Sequence, residues 1–385
     1  MASEVRGKKR KPRRFYDYSL LFTIIFLTAF GLVMIYSSSY YSAQISRDGN
    51  GAYFMIRQAQ IAAAGFVLML FISKLDYHWM CKFAGLAYVL SYVTMLLTMF
   101  TPLGIEANGK KRWLGVGGAS FQPTELVKLA LIMTLAVVIS RLGLNINRKN
   151  SVLFVIGLSA PLAILVAKNN LSSGIIICGI VFVMLFVSCK IRWPFFLCVA
   201  GGIGLLFLAP YIVSGLEAVN LLQGYQAQRI EVWQNPEAFP RDGGFQTLQG
   251  LYAIGSGGLF GRGLGESIQK LGFIPEAHND MVFSIICEEL GLFGAVSVIL
   301  IFLFMIYRFM LIAGNAPDLL GALLVVGVLA HISIQVILNI AVVTNVIPNT
   351  GVTLPFISYG GTSMLFLMME MGLVLSVSNR IRLEK

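Results

Sequence analysis

Asp280 lies in the stretch Pro275–Gly291, just after Glu276 and His278 and just before a long apolar run. A carboxylate in that place has two readings. It can occupy the N-cap or first turn of the coming helix, where it satisfies orphan amides and meets the positive end of the dipole. It can also be a general base at a membrane mouth opposite cations, which sugar transfer requires. Glu288 and Glu289 follow about two turns deeper and read as packing or cavity groups. Lys110, Lys111 and Arg112 stand beside Trp113. Such a cluster can bind a lipid-linked phosphate, because a guanidinium grips phosphate oxygens in a bidentate fork. The plainer reading is an interfacial anchor, where Trp and basic residues are also favoured. Glu125 and Lys128 come next, three apart and so on one helix face. They read either as an internal packing pair or as the continuation of a polar cavity.

Polar groups inside apolar runs are costly and tend to be functional. Gln335, Asn339, Asn345 and Asn349 interrupt the C-terminal third, with Pro348, Pro355 and a Tyr359-Gly360-Gly361 turn. Such breaks in a helix are tolerated only where protein or a water cavity satisfies the backbone. Glu370 sits inside the last apolar run, where an acid must be paired or protonated. Between Gly255 and Gly265 six of eleven residues are glycine. The spacing fits neither a P-loop nor a dinucleotide fingerprint. It reads as a flexible turn or as backbone that a headgroup can approach closely. The five cysteines form no CxxC pair and no zinc pattern, so they read as small packing residues. No metal site is legible.

The elements that must position these residues are membrane helices. Of 385 residues 57% are hydrophobic and 12% charged, half the charge of a soluble domain. That balance excludes a disordered chain, a disulfide scaffold and a nucleic-acid binder. The apolar residues fall into ten runs, about 18–37, 57–73, 83–102, 122–140, 152–167, 171–188, 194–212, 280–307, 318–343 and 352–378. The first is too long for a signal peptide and lacks a cleavage site. The fold expected is therefore an all-α integral membrane protein with about ten transmembrane helices and one large extracellular loop. Residues 1–17 form a basic cytoplasmic tail, 18–212 carry helices one to seven, 213–279 form the loop, 280–379 carry helices eight to ten, and 380–385 end in the cytoplasm. The charge supports that orientation: 18 Lys and Arg fall inside and 10 outside, four of these in the long loop, where charge counts little. In that loop aromatic and apolar residues alternate with charge, which predicts short helices on the membrane surface. No internal repeat supports an inverted-repeat transporter.

Three segments carry a resemblance. NGKKRWLGVGGASFQPTELVK is similar to the N-G-x-x-R-W … Q-P-[ST]-E-x-x-K segment of the SEDS family of bacterial membrane proteins (FtsW, RodA and SpoVE). IPEAHNDMVFSIICEELG and NVIPNTGVTLPFISYGGTS resemble two further signatures of that family, in the same order. The resemblance covers nearly the whole chain, and the wording around Gly224–Gly265 is nearer FtsW and SpoVE than RodA. It implies a glycosyltransferase that polymerises lipid II into glycan strands at the outer face of the cytoplasmic membrane, working with a class B penicillin-binding protein. The family's essential aspartate falls on Asp280. The chain departs from the family at Asn170, where an acid is usual.

The reaction so implied is attack of an acceptor GlcNAc 4-hydroxyl on the anomeric carbon of a donor MurNAc, with undecaprenyl pyrophosphate leaving and inversion at carbon. Asp280 would take the proton. Arg112 with Lys110 or Lys111, and Arg262 or Lys270, would steady the pyrophosphate, and His278, Trp113, Glu125 and Lys128 would complete the substrate site. A divalent cation, magnesium or manganese, rests on the resemblance alone. A lipid-precursor transporter (flippase) is the rival reading, since it needs the same polar path. A scaffold for cell-wall enzymes is a third.

Overall fold

A computed structural model describes residues 14–107, 110–116, 119–218, 225–240 and 244–382. In chain order the elements are β1 (Arg14–Phe15), α1 (Tyr18–Ser46), α2 (Tyr53–Lys74), α3 (Tyr77–Cys81), α4 (Ala84–Phe100), β2 (Gly104–Ala107), β3 (Lys110–Val116) and β4 (Ala119–Phe121). They continue with α5 (Pro123–Leu142), α6 (Lys149–Asn169), α7 (Leu171–Ser188), α8 (Trp193–Ala218), α9 (Tyr225–Gln234), α10 (Gly244–Gly257), α11 (Val282–Gly314), α12 (Leu319–Val343), α13 (Gly361–Ser378) and β5 (Ile381–Arg382). Among the described residues eight helices are long and apolar enough to cross a membrane: α1, α2, α5, α6, α7, α11, α12 and α13. Ala84–Phe100 and Trp193–Leu205 are shorter apolar helices at the third and seventh expected runs. Helices apolar on every face suit lipid, because all their backbone groups are satisfied internally. Their hydroxyls turn back on the chain, as Thr28 does to the Ile24 carbonyl and Ser38 to that of Met34.

Helix α12 is largely enclosed and packs against α5, α7, α11 and α13. Small residues allow the closest approaches. A side chain on Gly372 would strike Ile72 at 2.8 Å, and one on Gly31 would strike the Phe356 carbonyl oxygen at 2.4 Å. The ends of the chain meet: β1 pairs antiparallel with β5. Asp17 caps α1 through the Leu20 amide and receives Arg308 of α11 at 2.7 Å. Residues 1–13 of the basic tail and 383–385 lie outside the described residues.

Four features differ from the sequence expectation. Residues Gly104–Phe121 form a three-stranded antiparallel sheet, β2-β3-β4. The Asn108-Gly109 and Gly117-Gly118 pairs between its strands are turn dipeptides that carried this signal. The last expected run is helical only from Gly361, because the segment before it runs irregularly and includes Phe356 at φ 64°. The glycine-rich stretch is neither a free turn nor an open cradle. Helix α11 breaks at Gly291 (φ 65°), and residues 258–263 pair with the break. Arg262 and Gly263 amides donate to the Glu288 and Glu289 carbonyls, while Leu292 and Phe293 amides donate to those of Gly258 and Leu259. A side chain on Gly261 would lie 2.2 Å from the Glu289 carbonyl oxygen, so only glycine lets this strap close. Likewise α10 does not lie free on a surface. Its small face packs on α11, where Gly250 faces Ser284.

Candidate active site

Asp280 does not cap α11. Met281 precedes the first helical residue, and no side chain accepts from the first turn. The carboxylate instead accepts from Gln246 Nε2 of α10 at 3.3 Å, and Gln246 in turn accepts from Asn349 at 3.2 Å. Asn339 of α12 fixes the backbone by donating to the Asp280 carbonyl (2.9 Å) and to that of Val352 (2.7 Å). Desolvation pushes the Asp280 carboxyl up to about 6, helped by the charge of Glu276 and opposed by hydrogen bonds from backbone and Gln246. A carboxyl so raised is a stronger base than an ordinary one and is still ionised at neutral pH.

The rim runs from Asp280 to the cationic strand. Gly351 packs against the carboxylate, where an added side chain would meet Oδ2 at 3.7 Å. Next to it the Thr350 carbonyl accepts from Ser172 of α7 at 2.7 Å. Asn170 caps α7 by accepting from the Ser173 amide at 3.3 Å, and Asn169 donates to the Lys111 carbonyl at 3.2 Å. Lys111 and Arg112 line a narrow cavity with Gln122, Thr124, Asn169 and Asn170. Lys111 Nζ donates to the Thr101 carbonyl at 3.1 Å, and Trp113 is half-buried opposite Ile105 of β2. Lys110 begins β3; its side chain and Asn108 lie outside the described set.

Beneath that cavity a buried polar chain crosses the helix bundle. Lys128 pairs with Glu125 at 2.9 Å and reaches Gln335 Oε1 at 3.4 Å. His331 sits between Gln335 (2.9 Å) and Glu370 (2.7 Å). The two sequence readings of Glu125 and Lys128 therefore merge: they form an internal pair, and it continues a polar path. Glu370 is paired. Its partner, His331, escaped the sequence reading, although it lies four residues before Gln335 on one face.

Three expected substrate contacts have other partners. Lys270 is buried and donates to Glu289 at 2.7 Å, to Ser37 at 2.9 Å and to the Gly265 carbonyl at 2.6 Å. Arg262 lies 3.9 Å from Glu288, which also takes Ser267 and the Ile268 amide. Both cations thus pair at the strap by the Gly291 break, roughly three turns from Asp280. His278 is buried with its ring 4.5 Å from that of Phe54 and 5.5 Å from that of Tyr359. Burial pushes it down to about 4, against the raising effect of Glu276, so it is neutral at pH 7 and offers a phosphate no charge. Its carbonyl accepts from the Tyr359 amide, which ties the Asp280 segment to the Tyr-Gly-Gly turn. Among the described residues no group of three or more His, Cys, Asp or Glu side chains could hold a metal ion.

A family model described as cell cycle protein, spanning FtsW, RodA and SpoVE, matches residues 18–383. Stage V sporulation protein E of Bacillus subtilis is 38% identical over 97% of this chain and 99% of its own length. A probable peptidoglycan glycosyltransferase FtsW of Geobacter sp. (strain M18) is 34% identical over 95% of this chain and 98% of its own. Among solved structures, a peptidoglycan synthase complex described as coordinating polymerization and crosslinking aligns with TM-score 0.77 and 26% identity, over 95% of this chain and 98% of the other. The rod shape determining protein RodA of Thermus thermophilus aligns with TM-score 0.68 and 25% identity, over 96% and 98%.

Proposed function

Because the chain belongs to the FtsW, RodA and SpoVE family of cell cycle proteins, we infer that this multi-pass membrane protein is a peptidoglycan glycosyltransferase whose general base is Asp280. The observation that carries the site is the state of that carboxylate: released from helix capping, desolvated, and held by Gln246 at the start of the helix. The donor is lipid II. The acceptor hydroxyl oxygen forms a bond to the donor anomeric carbon while the bond from that carbon to pyrophosphate breaks. The hydroxyl proton passes to Asp280, and the electron pair leaves with undecaprenyl pyrophosphate. Attack from the face opposite the leaving group converts an α-linked donor into a β-1,4 strand. Arg112 and Lys111, across the rim formed by residues 349–353, are the cations placed to offset the leaving charge. Lys270 and Arg262 are assigned to the strap in this reading, since Glu289 and Glu288 are their partners. Among the described residues no carboxylate cluster forms a cage for magnesium or manganese, and no step here runs through one.

The chain sits in the cytoplasmic membrane with ten spans and both termini in the cytoplasm. The pairing of β1 with β5 supports the last point, since it places both ends on one side. The active site then faces outward, where glycan is assembled, and the partner is a class B penicillin-binding protein that cross-links the strands. The decisive experiment is incubation of purified protein with lipid II in detergent, where transport has no meaning. Glycan polymer is the expected product. Protein that binds lipid II but makes no polymer, alone or with its co-purifying penicillin-binding protein, points to the transporter instead.

A further inference from the structure

Residues 126–216 contain no acid, yet they carry Arg141, Arg148, Lys149, Lys190 and Arg192 at helix ends and in the turns between them. The fold gathers the last four. The Lys190 amide donates to Asn147 Oδ1 at 2.7 Å, which joins the turn before α6 to the turn before α8. The Arg192 guanidinium lies 5.5 Å above the Phe186 ring, and Trp193 beside it is 65% exposed. No ion pair among the described residues involves these cations. The charge therefore stays uncompensated at one end of α6, α7 and α8.

Directly beneath this rim lies an apolar groove of about 530 Å³, with Lys149 at its edge and walls that include Ile156, Ala160, Cys178, Val181 and Phe182. Phe195 stands edge-on to Phe182 (5.4 Å) and Phe186 (5.7 Å), so aromatic rings hold the start of α8 off α7 and keep the groove open. Its volume lies inside the range of about 300–1,000 Å³ common for small-molecule sites. A transmembrane helix, ~10 Å wide and ~30 Å long, would fill ~2,400 Å³, so the groove suits a hydrocarbon chain and not a helix.

We propose that this groove is a phospholipid site, with one acyl chain along the apolar wall and an anionic headgroup phosphate on Lys149, Lys190 and Arg192. Trp193 marks the interface level, where indoles settle. Binding here is independent of the glycosyltransferase reading; only its assignment to the cytoplasmic leaflet rests on the orientation proposed above.

The test is native mass spectrometry of the full-length protein, delipidated in detergent and titrated with dioleoyl phosphatidylglycerol or dioleoyl phosphatidylcholine. The wild type is expected to bind the anionic lipid at least about tenfold more tightly. Ala160→Phe and Cys178→Phe, which fill the groove, are expected to lose both lipids at unchanged thermal midpoint. The surface double variant Lys149→Gln/Arg192→Gln is expected to keep binding but lose the preference, and it carries the test if the filled variants fail to fold. Undiminished binding after filling, or a preference that survives the double variant, overturns the site. Displacement of phosphatidylglycerol by an equal concentration of undecaprenyl phosphate overturns the phospholipid as occupant.

Discussion

At the scale of one residue, Asp280 is the group we propose as the general base. General-base catalysis contributes about 10²–10⁴-fold, so Asp280→Asn is expected to lower lipid II polymerisation by at least about a hundredfold. The variant is expected to fold, because the carboxylate caps no helix and an amide can still accept from Gln246. The sign of the stability effect follows from its titration. Folding raises this group from 3.8 to about 6, so the protonated form is favoured in the folded state. Its contribution to stability is complete below the unfolded value and lost as pH rises through about 6. Above that pH the charge destabilises, and Asp280→Asn should match or exceed the wild-type thermal midpoint at pH 7.5. Polymerisation by the wild type should rise with pH through about 6 and then level off, as a base must be ionised to work. Near-normal activity in the variant, or a rate that falls across that window, would remove Asp280 from its role. The sequence showed the acid and its two readings. It could not show that the helix would start only at Val282, nor that Asn339, 59 residues on, would hold the Asp280 carbonyl.

Two elements carry predictions of their own. The strap at Gly291 depends on the buried Lys270–Glu289 pair. Removing one partner leaves a charge without compensation, which costs about 3–5 kcal/mol. Lys270→Met is therefore expected to lower stability by about that amount, and Lys270→Met/Glu289→Met to recover most of it, read by thermal unfolding in one detergent. If the single variant is as stable as wild type, the pair does not hold the strap. At the start of α7 Asn170 serves as the cap, and Asn and Asp cap about equally well. Asn170→Asp is expected to change polymerisation by less than about threefold, under about 1 kcal/mol of barrier. A hundredfold gain would mean that an acid beside Lys111 and Arg112 is part of the chemistry. Their depth along α11 makes Glu288 and Glu289 read as packing or cavity groups, but their partners come from α1 and from residues 262–270, which no local pattern links to them.

For the whole molecule the open matter is which side faces out. Residues 213–279 are expected outside, on a count of 18 inside cations against six outside once the long loop is set apart. A cysteine placed at exposed Glu237, in a background without the five native cysteines, should react with a membrane-impermeant maleimide in intact cells. Protection of that site, with labelling only after permeabilisation, would invert the topology and take Asp280 away from the outer face. The same orientation places the cation-rimmed groove of α6, α7 and α8 at the inner leaflet.

Composition and run length alone determined that this is a helical membrane protein, because an apolar run of about 20 residues satisfies its own backbone in lipid as a helix, while a barrel strand would alternate and be half as long. Three ordered motifs marked the family and its aspartate. The tertiary structure decided which charges have a buried carboxylate partner. Lys270, Arg262 and His278 looked as available as Lys111 and Arg112, since a sequence displays charge but not the partner that compensates it. Glu289, Glu288, and the rings of Phe54 and Tyr359 come from distant parts of the chain and are brought together only by packing. In a medium where an unpaired charge is costly, such pairing is what makes a buried ion tolerable.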